Sequence, residues 1–90
     1  MKRVKLVLHG TVQGVFYREH AMSSARKLGI KGYVKNLPDG TVEVIGEGDD
    51  RKIAEFVRMC KKGSFKSIIT KVDEAYETPA GEYETFLIEF

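Results

Sequence analysis

Arg3-Val4-Lys5-Leu6-Val7-Leu8-His9, a break from Gly10 to Gly14, and then Tyr17-Arg18-Glu19-His20-Ala21-Met22-Ser23-Ser24-Ala25-Arg26-Lys27-Leu28 are the residues on which the fold turns. The first run has a period of two. Val4, Leu6 and Leu8 point one way, and Lys5, Val7 and His9 the other, as in a strand covered on one face. The second run has a helical period. Tyr17, Ala21, Ala25 and Leu28 recur at spacings of four, four and three, one apolar stripe on a helix over 17–28. Gly29 follows as its C′ stop, with Arg26 and Lys27 placed to meet the negative end of the helix dipole. A strand that hands over to a helix through a glycine-bearing loop is the nucleus around which the other elements are arranged.

Working outward, residues 30–35 and 41–47 read as strands. Asn36-Leu37-Pro38-Asp39-Gly40 is the five-residue turn between them, where Pro presets φ and Gly admits positive φ. A second helix starts at Asp49 or Asp50, either of which can cap it. It carries Ile53, Phe56, Val57 and Cys60 at i, i+3, i+4 and i+7 and stops at Gly63. Residues 67–77 read as a strand with Ile68, Val72 and Tyr76 on one face. Thr78 to Gly81 turn, and Phe86, Ile88 and Phe90 alternate in a short closing strand. The order is β-α-β-β-α-β plus a short C-terminal strand. Right-handed crossovers would place both helices on one face of an antiparallel sheet of order 4-1-3-2. The expected fold class is α+β, a ferredoxin-like two-layer sandwich, and residues 1–90 are expected to form a single domain. This fold hosts many activities and names none of them.

Bulk properties narrow the field. The chain is 42% hydrophobic and 31% charged, which suits a compact protein rather than a disordered one. Fifteen basic against thirteen acidic side chains leave a net charge of +2, too little to argue for broad binding to nucleic acid or an anionic membrane. Cys60 is the single cysteine, so neither an intrachain disulfide nor a Cys/His zinc pattern is available. The N-terminal stretch is broken by Lys5 and His9 and lacks the apolar run of a signal peptide. No segment is apolar enough to span a membrane. A cytoplasmic monomer is the expectation.

Chemistry concentrates in Gly10-Thr11-Val12-Gln13-Gly14-Val15-Phe16-Tyr17-Arg18. The first N–H groups of a helix have no intrahelical partner, and the dipole adds positive potential there. Gly14 lets the backbone curl towards a ligand. The amides of Gln13, Gly14, Val15, Phe16, Tyr17 and Arg18 could then cradle a phosphate, and the Arg18 guanidinium could grip two of its oxygens. From the residues alone, Arg18 can equally be a solvated surface side chain, and Asn36 reads more readily as a turn residue than as a water holder. The loop is not a P-loop, because no Gly-Lys-Ser/Thr follows, and Gly46-Glu47-Gly48-Asp49-Asp50-Arg51 is not a dinucleotide fingerprint. Glu47, Asp49 and Asp50 suit a helix N-terminus better than a metal site. His9 and His20 read as surface residues, Cys60 as a buried, inert thiol, and Lys61, Lys62 and Lys66 as a solvated patch.

Gly10-x-Val12-Gln13-Gly14-Val15-x-Tyr17-Arg18 resembles the signature of the acylphosphatase family, usually Gly-x-Val-Gln-Gly-Val-x-Phe-Arg. The resemblance continues from Ala25 to Asn36, through Asp39-Gly40-Thr41-Val42-Glu43-Val44, and at Glu47-Gly48. Beyond that only the order of elements follows. It implies the ferredoxin-like fold and the hydrolysis of acyl phosphates to a carboxylate and inorganic phosphate, with no cofactor and no metal. It makes Arg18 the phosphate-binding arginine, Asn36 the residue that holds the attacking water, and residues 13–18 the phosphate cradle. Tyr17 replaces the usual Phe, so its hydroxyl needs a partner or solvent. Tyr33 stands where Trp is common. Gly63-Ser64-Phe65-Lys66-Ser67 replaces the usual Gly-Pro-Pro-x-Ala, which leaves the shape of that loop open.

The chemistry is coherent. A carboxylate leaves readily from phosphorus, so a loose transition state needs charge stabilisation and in-line positioning more than a strong base. An Asn amide accepts and donates, which suits a water holder. The expected partner is therefore a small acyl phosphate. Three rivals share the scaffold: an accessory module that handles carbamoyl phosphate for a larger partner, a regulatory metabolite-binding domain, and an RNA-binding module. The last is faintly suggested by Lys31-Gly32-Tyr33, which Val34-Lys35-Asn36 does not continue.

Overall fold

The computed structural model describes residues 1–90. The elements are β1 (Lys2–Thr11), α1 (Tyr17–Leu28), β2 (Lys31–Asn36), β3 (Val42–Gly48), α2 (Asp50–Lys62), β4 (Ile68–Glu77) and β5 (Phe86–Glu89). They form one five-stranded sheet of order β4-β1-β3-β2-β5 with the two helices packed on it. Val4, Leu6 and Leu8 of β1 are fully buried, together with Val34, Val42, Val44 and Phe86 from the other strands. Against them pack Tyr17, Ala21 and Ala25 of α1 and Ile53, Phe56, Val57 and Cys60 of α2. Burying each Val, Ile, Leu or Phe of this core is worth about 1.5–3 kcal/mol. The two helical stripes read from the sequence are thus the surfaces that meet the even-numbered face of β1.

Two expectations are corrected. The sheet is not wholly antiparallel: β1–β3, β1–β4 and β2–β3 are, but β5 runs parallel to β2, with Gly32 opposite Phe86. The cause is the path of residues 78–85, which carry the chain from β4 on one edge to β2 on the other across the helix-free face. Glu47 anchors this crossing by accepting hydrogen bonds from the Ala80 and Gly81 amides at 2.9 and 3.2 Å. Arg3 joins Glu47, Glu77 and Glu82 at 3.2, 3.1 and 2.9 Å. Tyr83 packs edge-on against Tyr33. Glu47 is therefore part of this crossing and not of a helix N-terminus.

The face of β4 is the second correction. Ile68 does not share the buried side with Val72. Pairing with β1 steps from His9↔Lys71 to Gly10↔Ile69, so Thr70 is bulged out and the alternation reverses beyond it. Ile69 and Val72 pack on the core, while Ile68 and Tyr76 remain 63% and 51% exposed. Gly10 makes the bulge possible. Its φ is 119°, and a Cβ there would lie 2.1 Å from the Ile68 carbonyl oxygen.

Candidate active site

At one end of the sheet the loop after β1, the β2–β3 turn and the loop after α2 come together. The first of these contains the two left-handed residues that frame Val15, Gly14 at φ 73° and Phe16 at φ 62°. Phe16 is the sole non-glycine residue with positive φ, a conformation that costs roughly 1 kcal/mol or more. It occupies the N-cap position of α1 and provides no side-chain cap. The first amide of the helix to find a backbone acceptor is that of His20, which donates to Phe16 O at 3.1 Å. The amides from Gln13 to Glu19 have no intramolecular acceptor. A row of unpaired donors at the positive end of a helix dipole is an anion-binding arrangement. Val12, Gly14, Phe16, Tyr17, Arg18 and Glu19 line a cavity of about 150 Å³ on this row.

Arg18 stands half-buried at this opening, its guanidinium carbon 5.1 Å from the centre of the Phe90 ring. The ring contact uses none of its five N–H donors. Phe90 follows the Lys35↔Glu89 register pair, and this sets it beside Asn36 at the end of β2. Asn36 has the parity of Val34 and pairs with the buried Val42, so it projects to the helix side, the side on which Arg18 sits. Its Oδ1 is out of reach of solvent and takes no hydrogen bond, whereas its Nδ2 is neither buried nor bonded within the protein. An unpaired buried acceptor is uncommon and costs about 1–3 kcal/mol.

Gln13 connects the two halves. Its side chain donates to Leu37 O and Thr41 O, both at 2.8 Å, and thereby locks the cradle loop to the turn that follows Asn36. Thr41 in turn donates its N–H and Oγ1–H to Asp39 Oδ1, at 3.0 and 2.6 Å. The Thr41 hydroxyl and amide hold the Asp39 carboxyl below its usual range. On the other side Ser64 Oγ donates to Val15 O at 2.7 Å, tying the loop after α2 to the cradle. Tyr17 is buried, and its hydroxyl donates to Cys60 O at 2.8 Å, which supplies the partner its extra oxygen requires. Burial pushes the Cys60 thiol up to about 12, in keeping with an inert side chain.

The sequence reading therefore named residues that the fold brings into one neighbourhood: 13–18 and Asn36. It overlooked the side-chain role of Gln13 and the contributions of Ser64 and Phe90. None of these has a local signal, because each acts on a residue at least 24 positions away. Glu19 was also overlooked. It is an exposed carboxylate in the first turn, acceptable to the helix dipole, and it lines the cavity, where its charge opposes an anion and its exposure weakens that repulsion. His20 and His9 are half-buried rather than free at the surface, and contact Met59 O and Asp73. No group of three His, Cys, Asp or Glu side chains converges as a set of metal ligands.

A two-layer sandwich with an uncapped, glycine-turned helix start beside an arginine defines a small phosphate-binding α+β protein. Known proteins narrow this class to one family. The acylphosphatase family pattern matches residues 4–88. The acylphosphatase of Syntrophobacter fumaroxidans is 43% identical over 89 residues, covering 99% of this chain and 92% of its own. That of Thermococcus kodakarensis is 42% identical over 83 residues, covering 90% of this chain and 91% of its own. The chain belongs to the acylphosphatase family. Among solved structures, the acylphosphatase from Bacillus subtilis superposes with a TM-score of 0.96 at 31% identity, with 100% of both chains covered. HypF from T. kodakarensis contains a similar region: TM-score 0.85 and 28% identity, covering 100% of this chain and 12% of HypF.

Proposed function

We propose that this chain hydrolyses acyl phosphates with the amides of residues 13–18 and Arg18 holding the phosphoryl group and Asn36 aiming the water. The observation that carries this reading is the row of unpaired amides from Gln13 to Glu19 at an uncapped helix start. These donors are fixed by the fold before substrate arrives, so little reorganisation is needed as charge spreads over the phosphoryl oxygens. Arg18 adds a bidentate charge. Water attacks phosphorus in line with the departing carboxylate. The P–O bond to the acyl group breaks, and the water's proton passes to solvent. Asn36 suits the task of aiming because half a turn of its amide would bring Oδ1 outward to accept a water hydrogen. That turn would also relieve its unpaired, buried state.

No step in this scheme calls for a metal or cofactor. Residues 1–90 act as one domain, as a monomer in the cytoplasm, on a small acyl phosphate and without nucleic acid. No helix is long and apolar enough to cross a membrane. The test is hydrolysis of benzoyl phosphate with and without EDTA, with inorganic phosphate as inhibitor. We expect turnover that the chelator leaves intact and that phosphate suppresses competitively. Phosphate binding with no turnover would favour a second reading, an accessory module within a larger assembly, which the likeness to one part of HypF suggests.

A further inference from the structure

The loop after α2, where Gly63-Ser64-Phe65-Lys66-Ser67 replaces the usual Gly-Pro-Pro-x-Ala, places an aromatic surface against the cradle. Phe65 is 86% exposed and Phe16 is 56% exposed, yet their rings lie parallel within 9° at a centroid distance of 6.4 Å. Lys66 Nζ sits 5.8 Å from the Phe16 ring centre and 5.7 Å from that of Phe65. The position of Phe65 is not that of a loose tip. Ser67 Oγ and Ser67 N both donate to Ser64 O, at 2.9 and 3.1 Å, and Ser64 Oγ is bonded to Val15 O in the cradle itself. Phe16 belongs to both places: it lines the anion cavity with Gly14 and Arg18 and forms one half of the aromatic pair. A group attached to a phosphate in that cavity can therefore lie over Phe16 and Phe65.

We propose that Phe16 and Phe65 form the acyl subsite of this enzyme and select acyl phosphates with a flat, apolar acyl group over small aliphatic ones. The inference rests on the hydrolytic reading above. An aryl group covers two exposed rings and removes apolar surface from water, which an acetyl group is too small to do. Lys66 places a positive charge on this ledge, where the leaving carboxylate acquires its negative charge.

The experiment compares kcat/KM for benzoyl phosphate and acetyl phosphate in the parent protein, Phe65→Ala and Phe65→Tyr. The exposure of Phe65 keeps both variants folded, which thermal unfolding checks. We expect Phe65→Ala to lower the benzoyl-to-acetyl preference about fivefold through KM, with acetyl phosphate turnover and phosphate inhibition unchanged. Phe65→Tyr keeps the ring and should keep the preference. An unchanged preference in Phe65→Ala, an equal fall for both substrates, or a loss in Phe65→Tyr would each overturn the subsite and leave the hydrolytic reading standing. A parent protein that turned over neither substrate would overturn the hydrolytic reading and this inference with it.

Discussion

The two helices begin in opposite ways. Asp49 closes the start of α2 in extended conformation, its carboxylate accepting from the Lys52 amide at 2.9 Å, and Asp50 adds a second negative charge. Phe16 opens α1 in the left-handed region, with no capping side chain, and its amides are left to an external acceptor. The backbone physics is the same at both ends: unpaired N–H groups and a positive partial charge. One end satisfies itself with an internal anion and contributes stability. The other forgoes roughly 1 kcal/mol of capping and keeps its donors for a ligand. A helix start suits an anion only where the chain leaves it uncapped, and the start of α1 is proposed to be such a site, with Gly14, Arg18 and the Gln13 clamp beside it.

This contrast can be broken or sharpened by substitution. The largest effect is expected at Arg18. Arg18→Ala should lower kcat/KM on the order of 10³-fold and abolish inhibition by inorganic phosphate. Parental kinetics in that variant would reduce the open start of α1 to a structural curiosity. Next comes Asn36→Ala, for which turnover should fall on the order of 10²-fold while the inhibition constant for phosphate stays put. Steady-state kinetics with phosphate titration separates the two roles, and a parallel loss of phosphate binding would contradict a water-aiming amide.

A third expectation concerns stability, far from the site. Burial opposes ionisation of Glu47, but the Ala80 and Gly81 amides and the Arg3 guanidinium outweigh it and hold the carboxyl below its usual range. A lowered folded-state value means this stabilisation is complete above the ordinary carboxyl pKa of about 4.3 and is lost as pH falls through the folded value. Glu47→Gln should therefore cost about 2 kcal/mol at pH 7 and less as the pH drops below 4, measured by urea unfolding across pH. A cost independent of pH would mean that its charge has no part in anchoring residues 78–85. The smallest effect is expected at the capped helix. Asp49→Ala should lower stability by about 1 kcal/mol and leave kcat/KM alone. A kinetic defect there would show that the two helix starts are coupled.

Much of this was legible in the chain because the signals are local. The stripes of Tyr17, Ala21 and Ala25 and of Ile53, Phe56, Val57 and Cys60 repeat within a few turns, and Gly29, Asp49 and Gly63 mark helix ends at the expected places. The cradle is similarly local, since residues 13–18 are neighbours in sequence. Ile68 misled because alternation assumes an unbroken register, and the bulge at Thr70 is set by a partner strand nearly sixty residues away. The parallel course of β5 could not be read either. It depends on Glu47 and Arg3 meeting the chain over the helix-free face, and periodicity does not encode such a meeting.

Sequence by itself determined the elements, their order, the family resemblance and the loop proposed to hold the phosphate, since hydrophobic period, turn residues and free helix amides act over a few residues. Only the tertiary structure decided that Asn36 lies on the helix side, that Arg18 meets the Phe90 ring, that Gln13 clamps the β2–β3 turn, and that Phe65 reaches Phe16. Those meetings are long-range. They depend on strand order and register, which are settled when the whole core packs at once.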